Sequence, residues 1–213
     1  MADPEDLTAR ARIRDAALAH FGEHGFDKAT IRDIAETAGV SSGLVRHHFG
    51  SKQALREACD DYLLRTVRRL NDEVWDAVAA GDVGRATAAR VPMGPYQRYI
   101  GRTLVDGSGG ELFDAIVEMG EAWLTLVDER RTDPPQADRR NRAALVAAMA
   151  LAVPMLRDHL TRAMGVDLTT PEGDVVLMRT LVDLHSHPLM SQEEAAAARA
   201  GLDRIPVKEQ RDD

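Results

Sequence analysis

A chain of 213 residues with 44% hydrophobic and 29% charged content has the size and composition of an ordinary globular protein with a real core. Its acidic start, MADPEDLTAR, argues against a secretory leader and no apolar run reaches membrane-spanning length. The lone Cys59 rules out an internal disulfide, so a reducing cytoplasm and no membrane partner are expected. A net charge of −8 speaks against a nucleic-acid partner until its distribution is read: residues 8–52 hold seven Arg/Lys and five Asp/Glu, an excess of +2, leaving −10 on the remainder.

Aromatic residues are 4% of the chain, alternating β-branched runs are absent, and apolar spacing is helical nearly throughout, so an all-α fold is expected. The first helix is predicted over Leu7–His20, with Ile13, Ala17 and Phe21 on its buried side and Gly22 and Gly25 ending it. Thr30 and Asp33 have capping-box spacing, with Asp in place of the usual Glu or Gln. Ile31, Ile34, Ala35 and Ala38 recur at helical spacing, and Gly39 ends that helix through the left-handed cap conformation. After a turn at Val40, Ser41 caps a second short helix, which carries Ser42, Gly43, Arg46, His47 and His48 outward. A short helix with small, hydrogen-bonding residues at its start, braced by another helix, fits a DNA major groove.

Ser51 opens a long helix, Lys52–Ala80, with Leu55, Leu63, Val67, Leu70, Val74 and Val78 on its apolar side. It starts against the groove-reading unit and ends in the rest of the chain, so it is the expected mechanical link. An irregular connection over 81–95 follows. Further helices are expected over Tyr96–Val105, 111–130, 138–164 (bent by Pro154 and ended by Gly165) and 171–187. Pro171 stands at a first helical position, where its missing N–H matters least. Ser191 and Glu194 form a second capping box for a short helix ended by Gly201, and the tail beyond Pro206 is polar.

The pattern Ala-Gly-Val-Ser-x-Gly-x-x-x-x-His-Phe-x-Ser-Lys over Ala38–Lys52, preceded by Ile13, Ala17, Phe21, Gly25, Thr30 and Ile34-Ala35, resembles the N-terminal DNA-binding domain of the TetR family of bacterial regulators. The resemblance covers about residues 10–56. It implies a three-helix helix-turn-helix domain, here 1–52, followed by a larger helical effector and dimerisation domain, 53–204, and a polar tail, 205–213. It also implies a homodimer with one reading helix of each subunit in the major groove, and a small-molecule effector. Carried onto this chain, Thr30 and Ser41 contact phosphate, Ser42, Gly43 and Arg46 face base edges, and His47, His48 and Lys52 face the backbone or the groove wall. Arg46 departs from the tyrosine common in the family, and its guanidinium suits either guanine or phosphate. Phe49 reads as core. His48 is open between packing and contact, and Arg10, Arg12 and Arg14 between DNA contact and a solvated face.

In the C-terminal part, residues 143–156, AALVAAMALAVPML, are apolar around nearly the whole helix and need cover on two sides. One side is its own core; the other predicts a subunit interface, with Leu145, Met149, Val153 and Leu156 joined by Met178, Leu181 and Leu184 of the 171–187 helix in an intersubunit four-helix bundle. Tyr96, Tyr99, Phe113, Met119 and Trp123 are the candidate effector-pocket residues, with Met93 and Trp75 nearby; an apolar pocket favours a lipophilic or aromatic molecule. His185 and His187 stand at i and i+2, on different helix faces, so no metal site is expected. No phosphate-binding loop, nucleophile elbow or zincin motif is present and no cofactor is expected. The expectation is a non-enzymatic, one-component transcriptional regulator, more a repressor than an activator, reading a pseudo-palindrome as a dimer. The competing readings are a helical-bundle enzyme and a ligand-binding dimer that does not act on DNA.

Overall fold

The computed structural model describes residues 4–82 and 96–205, and every regular element among them is an α-helix. The candidate pocket residue Met93, most of the 81–95 connection and the tail from Pro206 lie outside the described residues. In chain order the helices are α1 (Pro4–His24), α2 (Ile31–Ala38), α3 (Ser42–Phe49), α4 (Lys52–Ala79), α5 (Gln97–Val105), α6 (Gly110–Glu129), α7 (Arg139–Met155), α8 (Arg157–Met164), α9 (Pro171–Ser186) and α10 (Gln192–Leu202).

Helix α1 runs one turn past its predicted end. Gly22 does not stop it, because the missing side chain serves packing: a Cβ there would stand 2.8 Å from the Tyr99 amide nitrogen of α5. Gly25, at φ 81°, makes the turn instead. The α2–α3 junction forms as its sequence dictates. Gly39 sits in the left-handed region at φ 66°, with its N–H on Glu36 O and the Val40 N–H on Ala35 O, the paired closure of a Schellman turn. Helix α10 passes through Gly201 and stops after Leu202.

One apolar core joins the first three helices to those that follow. Ile13, Ala17 and Phe21 of α1 meet Ile34 and Ala35 of α2, Val45 and Phe49 of α3, Leu55, Cys59 and Leu63 of α4, Tyr99 and Ile100 of α5, and Leu151 of α7. The Phe21 ring lies 6.3 Å from that of Tyr99. A smaller cluster seals α6 on α7 through Val117, Ala143 and Ala147, with Gly120 opposite Ala143. At the rim of that contact Asp128 accepts both arms of Arg142 at 2.8 and 2.7 Å, and these bonds hold its carboxyl below the usual range.

The single helix expected over 138–164 is two helices, broken at Leu156. Pro154 has no N–H to donate to residue 150 and its ring crowds that carbonyl, so the ladder fails within two residues. Residues 1–159 form one compact unit and 160–213 a second. Within the second, Gly165 (φ 67°) ends α8 and Leu168 is buried. Thr170 caps α9 by accepting the Gly173 N–H at 3.1 Å, and any side chain at 173 would collide with Asp167 O. The Ser191–Glu194 capping box closes at both of its bonds, 2.8 and 3.2 Å.

Candidate nucleic-acid interface

Three helices begin near one another in sequence, and each start carries a hydroxyl cap. Thr30 Oγ1 accepts from Asp33 N (3.1 Å), Ser41 Oγ from Leu44 N (3.1 Å) and Ser51 Oγ from Ala54 N (3.0 Å). Thr30 also donates its hydroxyl to Asp33 Oδ2 at 2.7 Å, so the shorter Asp side chain meets the hydroxyl and the reciprocal bond to the Thr30 backbone N–H expected of a capping box is not formed. Each cap satisfies the third N–H of its helix and leaves the first two without an intrahelical acceptor: Ile31 and Arg32, Ser42 and Gly43, Lys52 and Gln53. Pairs of this kind at positive helix ends are anion-binding groups.

Helix α3 buries Val45 and Phe49 and turns Gly43, Arg46 and His47 to solvent, with Ser42 and His48 half-buried. The small Ser42 and Gly43 leave its first turn open to close approach. Arg46 makes no side-chain hydrogen bond or ion pair among the described residues, so its guanidinium is free to meet a partner outside the fold. His48 packs edge-on to both His47 and Phe49, at 5.6 and 6.2 Å between ring centroids.

Two cations of this region are tied to the protein's own backbone. Lys52 donates its ammonium to Phe26 O (2.8 Å), Ala29 O (3.1 Å) and Asp27 O (3.3 Å), and stands 4.5 Å from the Phe26 ring centre. It ties the loop before α2 to the start of α4. Arg10 donates to His48 O at 3.1 Å and lies over the Phe49 ring at 4.5 Å, bracing the C-terminal end of α3. Arg14 likewise lies over Tyr62 and pairs with Asp15. Nothing in local spacing marks Arg10 for this role, because its partner lies 38 positions away.

The candidate effector residues fall into two places. Tyr99 is buried and donates to Asp60 Oδ1 at 2.5 Å, and Tyr96 meets the Tyr62 hydroxyl at 3.4 Å. Burial pushes the Asp60 carboxyl up, against the lowering effect of the Tyr99 bond. Trp123 stacks on Trp75 at 4.4 Å and donates to Asn71 Oδ1 at 3.0 Å; Met119 and Phe113 are half-buried on the same helix, α6. A cavity of about 270 Å³ between α4, α5 and α6 includes Tyr99, Asp60, Leu63, Thr103 and Leu112 in its wall, but none of the other four candidates. A larger groove, about 1010 Å³, opens at the end of α1.

Helix α7 buries Ala143, Ala147 and Leu151 on one side. On its other side Leu145 is 64% exposed and Met149 58%, with Leu156 exposed just beyond its end and Val153 half-buried. On α9, Met178 and Leu181 are half-buried and Leu184 is exposed. No group of three or more His, Cys, Asp or Glu among the described residues is arranged to hold a metal ion. No single helix among them is long and apolar enough to cross a membrane.

Two short helices at a left-handed glycine turn, the second with a solvent-facing start, define a helix-turn-helix DNA-binding protein. Residues 13–59 match the sequence model for bacterial regulatory proteins of the tetR family. The chain is 40% identical over 154 residues to the HTH-type transcriptional regulatory protein RaaS of Mycobacterium tuberculosis, covering 67% of this chain and 68% of that one. It is 30% identical to the HTH-type transcriptional regulator BetI 2 of Chromohalobacter salexigens, covering 66% and 72%. Among solved structures, the fatty acid degradation regulator FadR of Bacillus halodurans shares the fold at 17% identity and a TM-score of 0.58, over 75% of this chain and 91% of that one. A gamma-butyrolactone receptor does so at 22% and 0.58, over 72% and 81%. The chain belongs to the tetR family and is a DNA-binding transcriptional regulator.

Proposed function

We propose that the protein is a ligand-responsive repressor that works in the cytoplasm without catalysis and binds a pseudo-palindromic operator as a homodimer. Residues 1–52 read DNA, 53–204 bind effector and dimerise, and 205–213 form a polar tail. The helix starts at Thr30 and Ser41 hold phosphates; Ser42, Gly43 and Arg46 face base edges; His47 and His48 flank the groove wall, and Lys52 beside it holds the loop before α2 in place. The observation that carries this reading is the solvent-facing, uncommitted start of α3, set between capped helix ends with unused N–H groups. The exposed apolar side of α7, Leu145 and Met149 with Val153 and Leu156, and Met178, Leu181 and Leu184 of α9 supply the dimer contacts in this scheme.

Effector binding among Tyr96, Tyr99, Phe113, Met119 and Trp123 shifts the tilt of α4 and so the spacing of the two reading heads. The cavity beside Tyr99 supports this route, because Asp60 and Leu63 of α4 form part of its wall. Such a switch requires unequal affinity of the effector for the two states.

The test is fluorescence anisotropy on duplexes selected from random sequence, at several salt concentrations. Tight, sequence-preferring binding that weakens steeply with salt is expected. Arg46→Ala should weaken the selected duplex by about 1–3 kcal/mol and relax preference at one position. Equal weakening on every sequence would move Arg46 from the bases to the phosphates.

A further inference from the structure

The 1010 Å³ groove plays no part in the scheme above. It is bounded by the end of α1 and the loop after it, Arg56 of α4, the outer side of α5 and the break between α7 and α8. Along one side runs a clasp between α1 and α5. Gly22 lets the two backbones cross, and Arg102 of α5 donates Nε to Gly22 O (3.1 Å) and Nη2 to Glu23 O (3.2 Å). Those carbonyls belong to the last turn of α1, its negative end, so Arg102 acts as a C-terminal cap supplied from another helix. A guanidinium has five N–H donors, and these two bonds leave three.

The charges around Arg102 favour an anion. Four acids line the groove, Glu23 (paired with Arg98 at 2.9 Å), Asp158 (facing Arg157 at 3.7 Å), Asp106 (accepting from the Ser108 amide, near Arg56 and Arg102) and Asp27, against the five cations Lys28, Arg56, Arg98, Arg102 and Arg157. Lys28 and Arg56 add positive charge to the same wall. The groove is also apolar in part: Val105 is 76% exposed, and Met155 and Pro154 line the same groove. Gln97 Oε1, on the same lining, is shut off from solvent without a hydrogen-bond donor.

We infer that this groove binds a small organic anion with a short apolar tail, its carboxylate or phosphate on Arg102 and its tail along Val105 and Met155, and that binding loosens the α1–α5 clasp. An anionic oxygen is a stronger acceptor for guanidinium than a neutral carbonyl, so the ligand competes with Gly22 O and Glu23 O for Arg102. The end of α1 then loses its cap, and the reading head is held to α5 by the Phe21–Tyr99 packing and the Glu23–Arg98 pair. The consequence for DNA rests on the regulator reading; the binding itself does not.

Calorimetry on the full chain tests it with octanoate, octyl phosphate, octylammonium and inorganic phosphate. Octanoate or octyl phosphate binds, the tighter of the two naming the headgroup, while octylammonium gives no heat and inorganic phosphate binds far more weakly. Arg102→Gln and Val105→Asp each weaken the anion by about ten-fold or more, and Arg140→Gln, a surface arginine paired with Glu121, leaves it unchanged. If Arg102→Gln melts early, Val105→Asp decides alone, its side chain being outside the core. No heat from either anion, or undiminished affinity in the variants, overturns the site. Inorganic phosphate binding as tightly as octyl phosphate overturns the apolar half. Saturating anion should also raise the Kd for the selected duplex by about ten-fold; an unchanged Kd overturns the clasp mechanism. A chain that binds no duplex at all fails the regulator reading, while calorimetry still answers for the groove.

Discussion

Lys52 shows how far a residue's identity can be legible while its job is not. Its place in the motif marks it for the DNA side, yet three carbonyls from the loop before α2 surround its ammonium. Lys52→Ala is therefore expected to weaken DNA binding by loosening that loop, with little change in the slope of log K against log salt. A slope smaller by about one would mean a direct phosphate contact instead. Arg10 is open between DNA and solvent by sequence alone, and from the surface it braces the C-terminal end of α3; a contact 38 residues away leaves no trace in periodicity. Asp60 is a second case, an ordinary acid in sequence whose burial pushes its pKa up. Above that raised pKa the folded state holds a half-buried carboxylate at a disadvantage. As pH falls through it, the group takes up a proton and the disadvantage goes. Asp60→Asn keeps an acceptor for Tyr99 and removes the charge, so its Tm should exceed the wild type at neutral pH and converge with it in acid; a neutral-pH Tm below the wild type would refute this.

At the scale of elements, local chemistry was readable wherever one or two residues decide the backbone. Gly39, Ser41, Ser51, Thr170 and Ser191 all stand where their sequence places them, because caps are short-range devices. Gly39→Ala puts a Cβ into the left-handed region at φ 66° and should reduce unfolding stability by about 1–2 kcal/mol, read by urea denaturation. A loss near zero would mean the turn re-forms with another geometry. A glycine alone does not fix a helix end. Gly22 lies inside a helix because α5 crosses it, and Gly201 stays helical with open space around it. By sequence Pro154 implies a bend, and in the fold it causes a full break at Leu156, a difference of degree that local pattern does not resolve.

For the whole molecule, the helix-turn-helix unit and the apolar character of residues 143–156 are legible in sequence, and the cavities are not. Cavities arise from gaps between helices distant in sequence: Trp123, conspicuous in the chain, stacks on Trp75 and bonds Asn71, while Arg102, inconspicuous, lines a groove of about 1010 Å³. Exposed Leu145 and Met149 lead to a direct test of assembly: Leu145→Asp with Met149→Asp should shift the chain from dimer to monomer in analytical ultracentrifugation and weaken operator binding. A double variant that stays dimeric would place the interface elsewhere.

The continuous core has a bearing on how such regulators can be recombined. Phe21 rests on Tyr99, and Ile13, Val45 and Phe49 belong to the same cluster as Cys59, Leu63 and Ile100. A transplant of residues 1–52 onto a foreign body would leave that cluster half-built, with large apolar side chains facing whatever the recipient offers. A workable graft has to take the first three turns of α4 and the inner side of α5 along with the reading helix. Specificity for DNA in this chain is therefore portable only together with part of the machinery that would sense the ligand.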